Sequence, residues 1–150
     1  MKENSYTDCN NRTVHILLVE DDDVDASGLR RALKNAKIIN PVHRARDGIE
    51  ALNMLKGREG VELVSEPYLL LVDLNMPRMG GIELITEIRN DEELKSSVVF
   101  VLTTSKHDED MAAAYNLNIA GYILKENAGD DFIRLIDLLD SYWRIVEMPQ

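Results

Sequence analysis

Cysteine is almost absent from this 150-residue chain: the single Cys9 stands beside Asn10 and Asn11 in a polar leader. It has no partner for an internal disulfide and no companion at zinc-site spacing, so it reads as an unpaired surface thiol. Basic charge is also scarce. Seventeen Lys and Arg face 27 Asp and Glu, a formal charge of −10. That balance opposes the phosphate neutralisation that dominates nucleic-acid affinity, and direct DNA binding is not expected. No apolar run approaches the roughly twenty residues needed to cross a bilayer, and residues 1–13 carry no basic-then-apolar signal pattern. A cytoplasmic protein with no membrane partner is expected. Nor is there length for a second unit with its own core, so a separate output domain is not expected either. What remains, 45% apolar and 29% charged residues, is the composition of an ordinary globular domain.

Residues 1–12 are polar and aperiodic, and the pattern places a flexible leader there, one domain over 13–146 and a short tail at 147–150. Four apolar runs too short for typical helices, Val14–Val19, Tyr68–Val72, Val98–Leu102 and Gly121–Leu124, read as buried parallel strands. Val42–Arg46, with His43 and Arg44 inside it, suits an edge strand wet on one side. Helical period fills the gaps. Leu29, Ala32, Leu33 and Ala36 share a face within Asp23–Ala36; Ile49, Leu52 and Leu55 share the next, and Ile82, Ile85 and Ile88 the third. Asp108–Leu117 and Ala128–Val146 supply two more helices. Five strands alternating with five helices predict an α/β fold, a doubly wound parallel sheet, because each parallel crossover needs a helix-sized connection. Of the two common strand orders, the flavodoxin-like 2-1-3-4-5 is adopted here.

Ligands of such sheets sit outside the carboxyl ends of the strands. Strand one stops in Glu20-Asp21-Asp22-Asp23 and strand three in Asp73. Carboxylates gathered at neighbouring strand ends repel unless a cation is shared, and hard oxygen donors around a partly hydrated site suit magnesium. Asp22 and Asp23, just before a helix, are better explained as caps and dipole partners. Asp73 follows five apolar residues and needs a partner if drawn inward. Strand four ends in Thr103, Thr104 and Ser105, hydroxyls able to donate to an oxyanion; strand five ends in Lys125, an ammonium able to neutralise one.

The segments HILLVEDD (15–22), LVDLNMPRMGG (71–81), VLTT (101–104) and GYILK (121–125), in that order, resemble the receiver domain of bacterial two-component response regulators. The resemblance implies that Asp73 accepts a phosphoryl group from the phosphohistidine of a sensor histidine kinase. It implies Mg²⁺ held by Asp21 and Asp73, by Glu20 through a water, and by the backbone carbonyl of Asn75. Thr103 and Lys125 would hold the phosphoryl oxygens. Three carboxylates are then balanced by Lys125 and a divalent cation, and phosphorylation replaces one carboxylate charge by roughly −2. Thr103 would move inward with an aromatic switch on strand five, Tyr122. The HRARDGIEALNML segment (43–55), the long loop before strand three and the 103–105 hydroxyl run are similar to the small regulators that accompany bacterial phytochromes, which implies a light-sensing kinase as partner.

Two positions depart from the receiver pattern. Glu126 follows Lys125 where receivers usually have a proline in a cis peptide, and a non-proline cis bond costs ~2.5–4 kcal/mol. Glu20 stands where an aspartate is more usual. The last helix carries two apolar stripes, Phe132, Ile136, Leu139 and Trp143, and then Leu135, Leu138, Tyr142 and Ile145. The second stripe predicts another neighbour: the same helix of a second copy in a homodimer, or helix four, or the tail folding back. The expected function is a phosphoacceptor signalling module rather than an enzyme. The alternatives are a pseudo-receiver that binds partners without phosphorylation, and an aspartate-nucleophile phosphohydrolase, for whose cap 150 residues leave no room.

Overall fold

The structure, a computed structural model, describes residues 5, 7, 12–58, 60–61, 63–74, 76, 79–103, 110–131 and 133–134, with the side chains at 110–112 excepted. Five parallel strands, β1 (His15–Val19), β2 (Val42–Ala45), β3 (Tyr68–Asp73), β4 (Val98–Thr103) and β5 (Gly121–Leu124), form one sheet in the order β2-β1-β3-β4-β5. The helices α1 (Asp23–Asn35), α2 (Gly48–Lys56), α3 (Gly81–Arg89) and α4 (Asp110–Asn116) connect them. A 3₁₀ turn over Lys125–Asn127 leads into helical residues 128–131 and 133–134, the opening of α5. This is the doubly wound, flavodoxin-like arrangement expected from the sequence.

β1, β3 and β4 are buried on both faces, which is why they read as unbroken apolar runs. Leu17, Val19, Leu70, Val72, Val99 and Val101 face the core shared with α2, α3 and α4. Ile16, Leu18, Leu69, Leu71, Phe100 and Leu102 face the core shared with α1 and the start of α5. β2 and β5 are the edges and are only partly buried. No helix among the described residues is long and apolar enough to cross a membrane.

Each helix begins where local chemistry permits it. Asp22 caps α1 by accepting from the Asp25 N–H at 3.0 Å, and Asp47 caps α2 by accepting from the Glu50 N–H at 2.9 Å. Gly57 closes α2 in the left-handed conformation at φ 66°. Several boundaries differ from the sequence expectation. β1 begins at His15 because the Val14 carbonyl accepts from Asn40 Nδ2 instead, at 2.8 Å. β3 and β4 run one residue further, carrying Asp73 and Thr103 within the ladder, and β2 ends one residue earlier, at Ala45. α1 stops at Asn35, and α4, described over Asp110–Asn116, ends one residue before the expected Leu117, while its expected start at Asp108 lies outside the described residues. The buried face of α2 keeps Leu55 and the partly buried Leu52 of the expected stripe but not Ile49, which is exposed; Gly48, Ala51 and Met54 complete it, with the Met79 side chain packed over Gly48 where a Cβ would clash.

Thr7 pairs back onto Thr13 in an isolated antiparallel bridge, so this residue of the leader is held against the domain. Cys9, the second stripe of the last helix (Leu135, Leu138, Tyr142, Ile145) and its companions Phe132, Ile136, Leu139 and Trp143 lie outside the described residues.

Candidate functional site at the carboxyl ends of the strands

Register brings the site together. Val19 pairs with Val72, so Glu20 and Asp73 follow side by side; Asp73 pairs with Leu102, and Thr103 with Leu124, which places Thr103 and Lys125 on the same rim. Carboxylate oxygens of Glu20, Asp21 and Asp73 all lie within 4.8 Å of one another, with Glu20 and Asp73 buried and Asp21 half-buried. Asp22 and Asp23 are not in this cluster. Asp22 caps α1, and Asp23 holds Arg44 at 2.7 Å and Arg46 at 2.9 Å, which lowers its pKa.

Glu20 is the most enclosed of the three acids, 1% exposed. Its Oε1 accepts from the Asp22 N–H at 3.2 Å. Its buried Oε2 sits 2.9 Å from Lys125 Nζ, an ion pair whose ammonium it shares with two other acids. Burial pushes the Glu20 carboxyl up to about 7, the Asp73 charge adds to the rise, and Lys125 opposes it. Lys125 answers to three acids: Nζ is 2.9 Å from Glu20, 2.9 Å from Asp25 Oδ2 and 3.6 Å from Asp73 Oδ2. Burial works against its ammonium, but Asp25, Glu20 and Asp73 outweigh it and hold the proton well above the usual lysine range.

A buried carboxylate beside two more acids, with one ammonium divided among several carboxylates, leaves negative charge that a hard cation satisfies. Oxygens within 4.8 Å of one another are close to the ~4 Å between opposite ligands of a magnesium octahedron. The donor set therefore fits a divalent ion.

Residues 16–137 match the family described as the response regulator receiver domain. The chain belongs to this family. The receiver is similar to the response regulator Rcp1 of Synechocystis, 34% identical over 128 residues that span 85% of this chain and 87% of Rcp1. Its fold is similar to that of the phosphorylated cyanobacterial phytochrome response regulator RcpA, with 32% identity, TM-score 0.70, and coverage of 91% and 98% of the two chains. It is likewise similar to the bacteriophytochrome response regulator AtBRR, with 29% identity, TM-score 0.76, and coverage of 89% and 96%. A Mn²⁺-bound form of Rcp1, with 32% identity, TM-score 0.64, and coverage of 91% and 99%, agrees with an acid cluster suited to a divalent metal.

Of the residues singled out in the sequence, the receiver fold gathers Glu20, Asp21, Asp73 and Lys125, with the buried Thr103 at the end of the adjoining strand. Asn75, Thr104 and Ser105 lie outside the described residues. Tyr122 is half-buried on β5, packed against the core and bordering a groove shared with Tyr115. The peptide after Lys125 is trans; the sole cis bond among the described residues is Glu66–Pro67. Lys125 reaches the acids all the same.

Two participants went unnoticed in the sequence. Arg44 donates to the Glu20 carbonyl from Nε at 3.1 Å and Nη2 at 2.9 Å, bracing the acidic turn from β2. Asp25, in the first turn of α1, binds Lys125 from one hundred residues away. The cross-strand neighbourhood of Arg44 follows from strand order; nothing in the local sequence marks Asp25.

Proposed function

We propose that this receiver is a phosphoacceptor, with Asp73 taking a phosphoryl group from the phosphohistidine of a sensor histidine kinase. One observation carries the reading: Asp73 is a buried carboxylate, 6% exposed, with an ammonium 3.6 Å away on one side and two further acids on the other. An Asp73 oxygen attacks phosphorus; the new P–O bond forms as the P–N bond breaks, and the leaving imidazole nitrogen keeps the bonding pair and takes a proton. Asp21 and Asp73, Glu20 through a water, and the Asn75 backbone carbonyl would hold Mg²⁺, which supplies charge neutralisation at the phosphoryl oxygens. Lys125 stabilises the same oxygens, and the Thr103 hydroxyl donates to one of them, a movement that Tyr122 on β5 passes to the surface.

The partner is a phytochrome-type kinase, a reading supported by the likeness to RcpA and AtBRR. The protein acts in the cytoplasm, catalyses only its own phosphorylation and dephosphorylation, and dimerises through Leu135, Leu138, Tyr142 and Ile145, the last point resting on the sequence pattern alone.

Incubation with acetyl phosphate and Mg²⁺ is expected to add one phosphoryl group, labile to hydroxylamine and absent in Asp73→Asn, read by intact-mass spectrometry. The scaffold alternative keeps one observation in its favour, that Lys125 lies nearer Glu20 and Asp25 than Asp73. An unchanged mass would establish it over the phosphoacceptor.

A further inference from the structure

Lys125 has one ammonium and three claimants. Two of them, Glu20 and Asp73, belong to the acid cluster and sit at or below 6% exposure. The third does not. Asp25 lies on the first turn of α1, its side chain 44% exposed, outside the group of acids that can share a cation. Yet Asp25 Oδ2 accepts a hydrogen bond from Lys125 Nζ at 2.9 Å, while Asp73 is left at 3.6 Å.

The contact is not forced by crowding. A cavity of about 340 Å³ lies alongside, lined by Glu20, Asp25, Leu29, Lys125 and Glu126 among others, so the lysine side chain has room to swing. Nor is Asp25 needed to open the helix, since Asp22 already caps α1. With Asp21, Glu20 and Asp73 close by, the rim holds more negative than positive charge before any anion arrives. A carboxylate outside the metal cluster that binds the Lys125 ammonium takes that ammonium away from an incoming phosphoryl group.

We infer that Asp25 is a positioning residue that competes with the phosphoryl group on Asp73 for the Lys125 ammonium, shortening the life of the phosphorylated state. The inference rests on the phosphoacceptor reading. In the resting protein Asp25 draws Nζ outward. After transfer, Lys125 divides its donors between Asp25 and the phosphoryl oxygens, so the acyl phosphate is less fully shielded than Lys125 alone would make it. Asp25 touches neither phosphorus nor cation and acts only through Lys125.

The test uses the full chain phosphorylated with acetyl phosphate in Mg²⁺, freed of donor, and followed by the decay of the phosphorylated mass. Asp25→Asn keeps the side-chain size and removes the charge. A partly exposed ion pair supports an effect of about two- to fivefold, so the half-life is expected to lengthen by that factor at low ionic strength. The gap between variant and wild type should narrow as salt is raised, because an exposed carboxylate is screened; a purely structural perturbation would not follow salt in this way. Asp23→Asn, which removes the same charge two residues away from a carboxylate paired with Arg44 and Arg46, should leave the half-life at the wild-type value. An unchanged or shorter half-life in Asp25→Asn, or an equal lengthening in Asp23→Asn, overturns the role of Asp25 while the phosphoacceptor reading stands. Wild-type protein that takes up no phosphoryl group overturns both.

Discussion

At the amino ends of β4 and β5, the Arg89 guanidinium donates to the backbone carbonyls of Leu117 at 2.7 Å, Lys95 and Ser97 at 2.8 Å and Asn118 at 3.1 Å. At the carboxyl ends, three acids crowd together and the Lys125 ammonium is divided among Glu20, Asp25 and Asp73. The same helix reaches both places: α3 starts at Gly81 against Asp73 and finishes at Arg89. A cation whose donors end on fixed carbonyls is structural, since nothing about it changes with ligand. Charges left over at the other end have no such closure, and a fold retains them because something else completes them. The difference separates the part of this receiver that holds the sheet from the part that carries the acid cluster.

The largest way to break that separation is Arg89→Met. It keeps the stem and removes donors from four carbonyls, some of them half-buried, and should cost about 2–4 kcal/mol in urea unfolding. Phosphoryl uptake at low temperature should stay at the wild-type level. If instead uptake falls while stability holds, the amino end is not merely a brace.

Gly81→Ala tests the opposite end of the same helix. A Cβ there would lie 2.5 Å from the Asp73 carbonyl oxygen and 2.7 Å from Leu74 Cα, both backbone atoms that cannot step aside cheaply. The expected cost is about 2 kcal/mol, accompanied by a loss of phosphoryl uptake out of proportion to the stability change, because the shift falls on the residue that carries Asp73. Gly28→Ala is the contrast: nothing lies within 4 Å of that position in mid-α1, so it should gain about 0.5–1 kcal/mol and leave uptake alone. Equal behaviour of the two alanines in the uptake assay would contradict the contact.

These contacts also mark where sequence reasoning reaches and where it stops. The strands are legible because β1, β3 and β4 are covered on both sides and tolerate nothing but apolar residues between their ends. Their order is not; it was selected from two common arrangements, and only the pairing register puts Glu20 next to Asp73. Periodicity misplaced Ile49 since the period alone does not fix where the buried face of α2 is centred; that face runs through Gly48, Ala51, Met54 and Leu55, with a methionine from another loop packed over Gly48. The acids and Lys125 were legible as strand-end residues. Asp25 was not, because an acid in a first helical turn is already explained by the dipole, and its real partner is distant in the chain.

The smallest effect, and the one that bears most directly on the unfinished charge, is the pH dependence that Glu20 imposes on the metal-free protein. Its carboxyl is raised from 4.5 to about 7, chiefly by burial, so the folded state holds a proton that the unfolded state has released. The stability this proton brings is fully present below about 4.5 and is lost as pH climbs through about 7. The loss between pH 5 and 8 should be about 1 kcal/mol, visible as a lower urea midpoint in the presence of a chelator. Glu20→Gln should flatten that part of the profile. Adding Mg²⁺ should raise the midpoint more at pH 8 than at pH 5, because the cation binds the ionised acid. A Mg²⁺ effect of equal size at both pH values, or one that survives in the Gln variant undiminished, would mean that the buried oxygen of Glu20 is completed by something other than a metal.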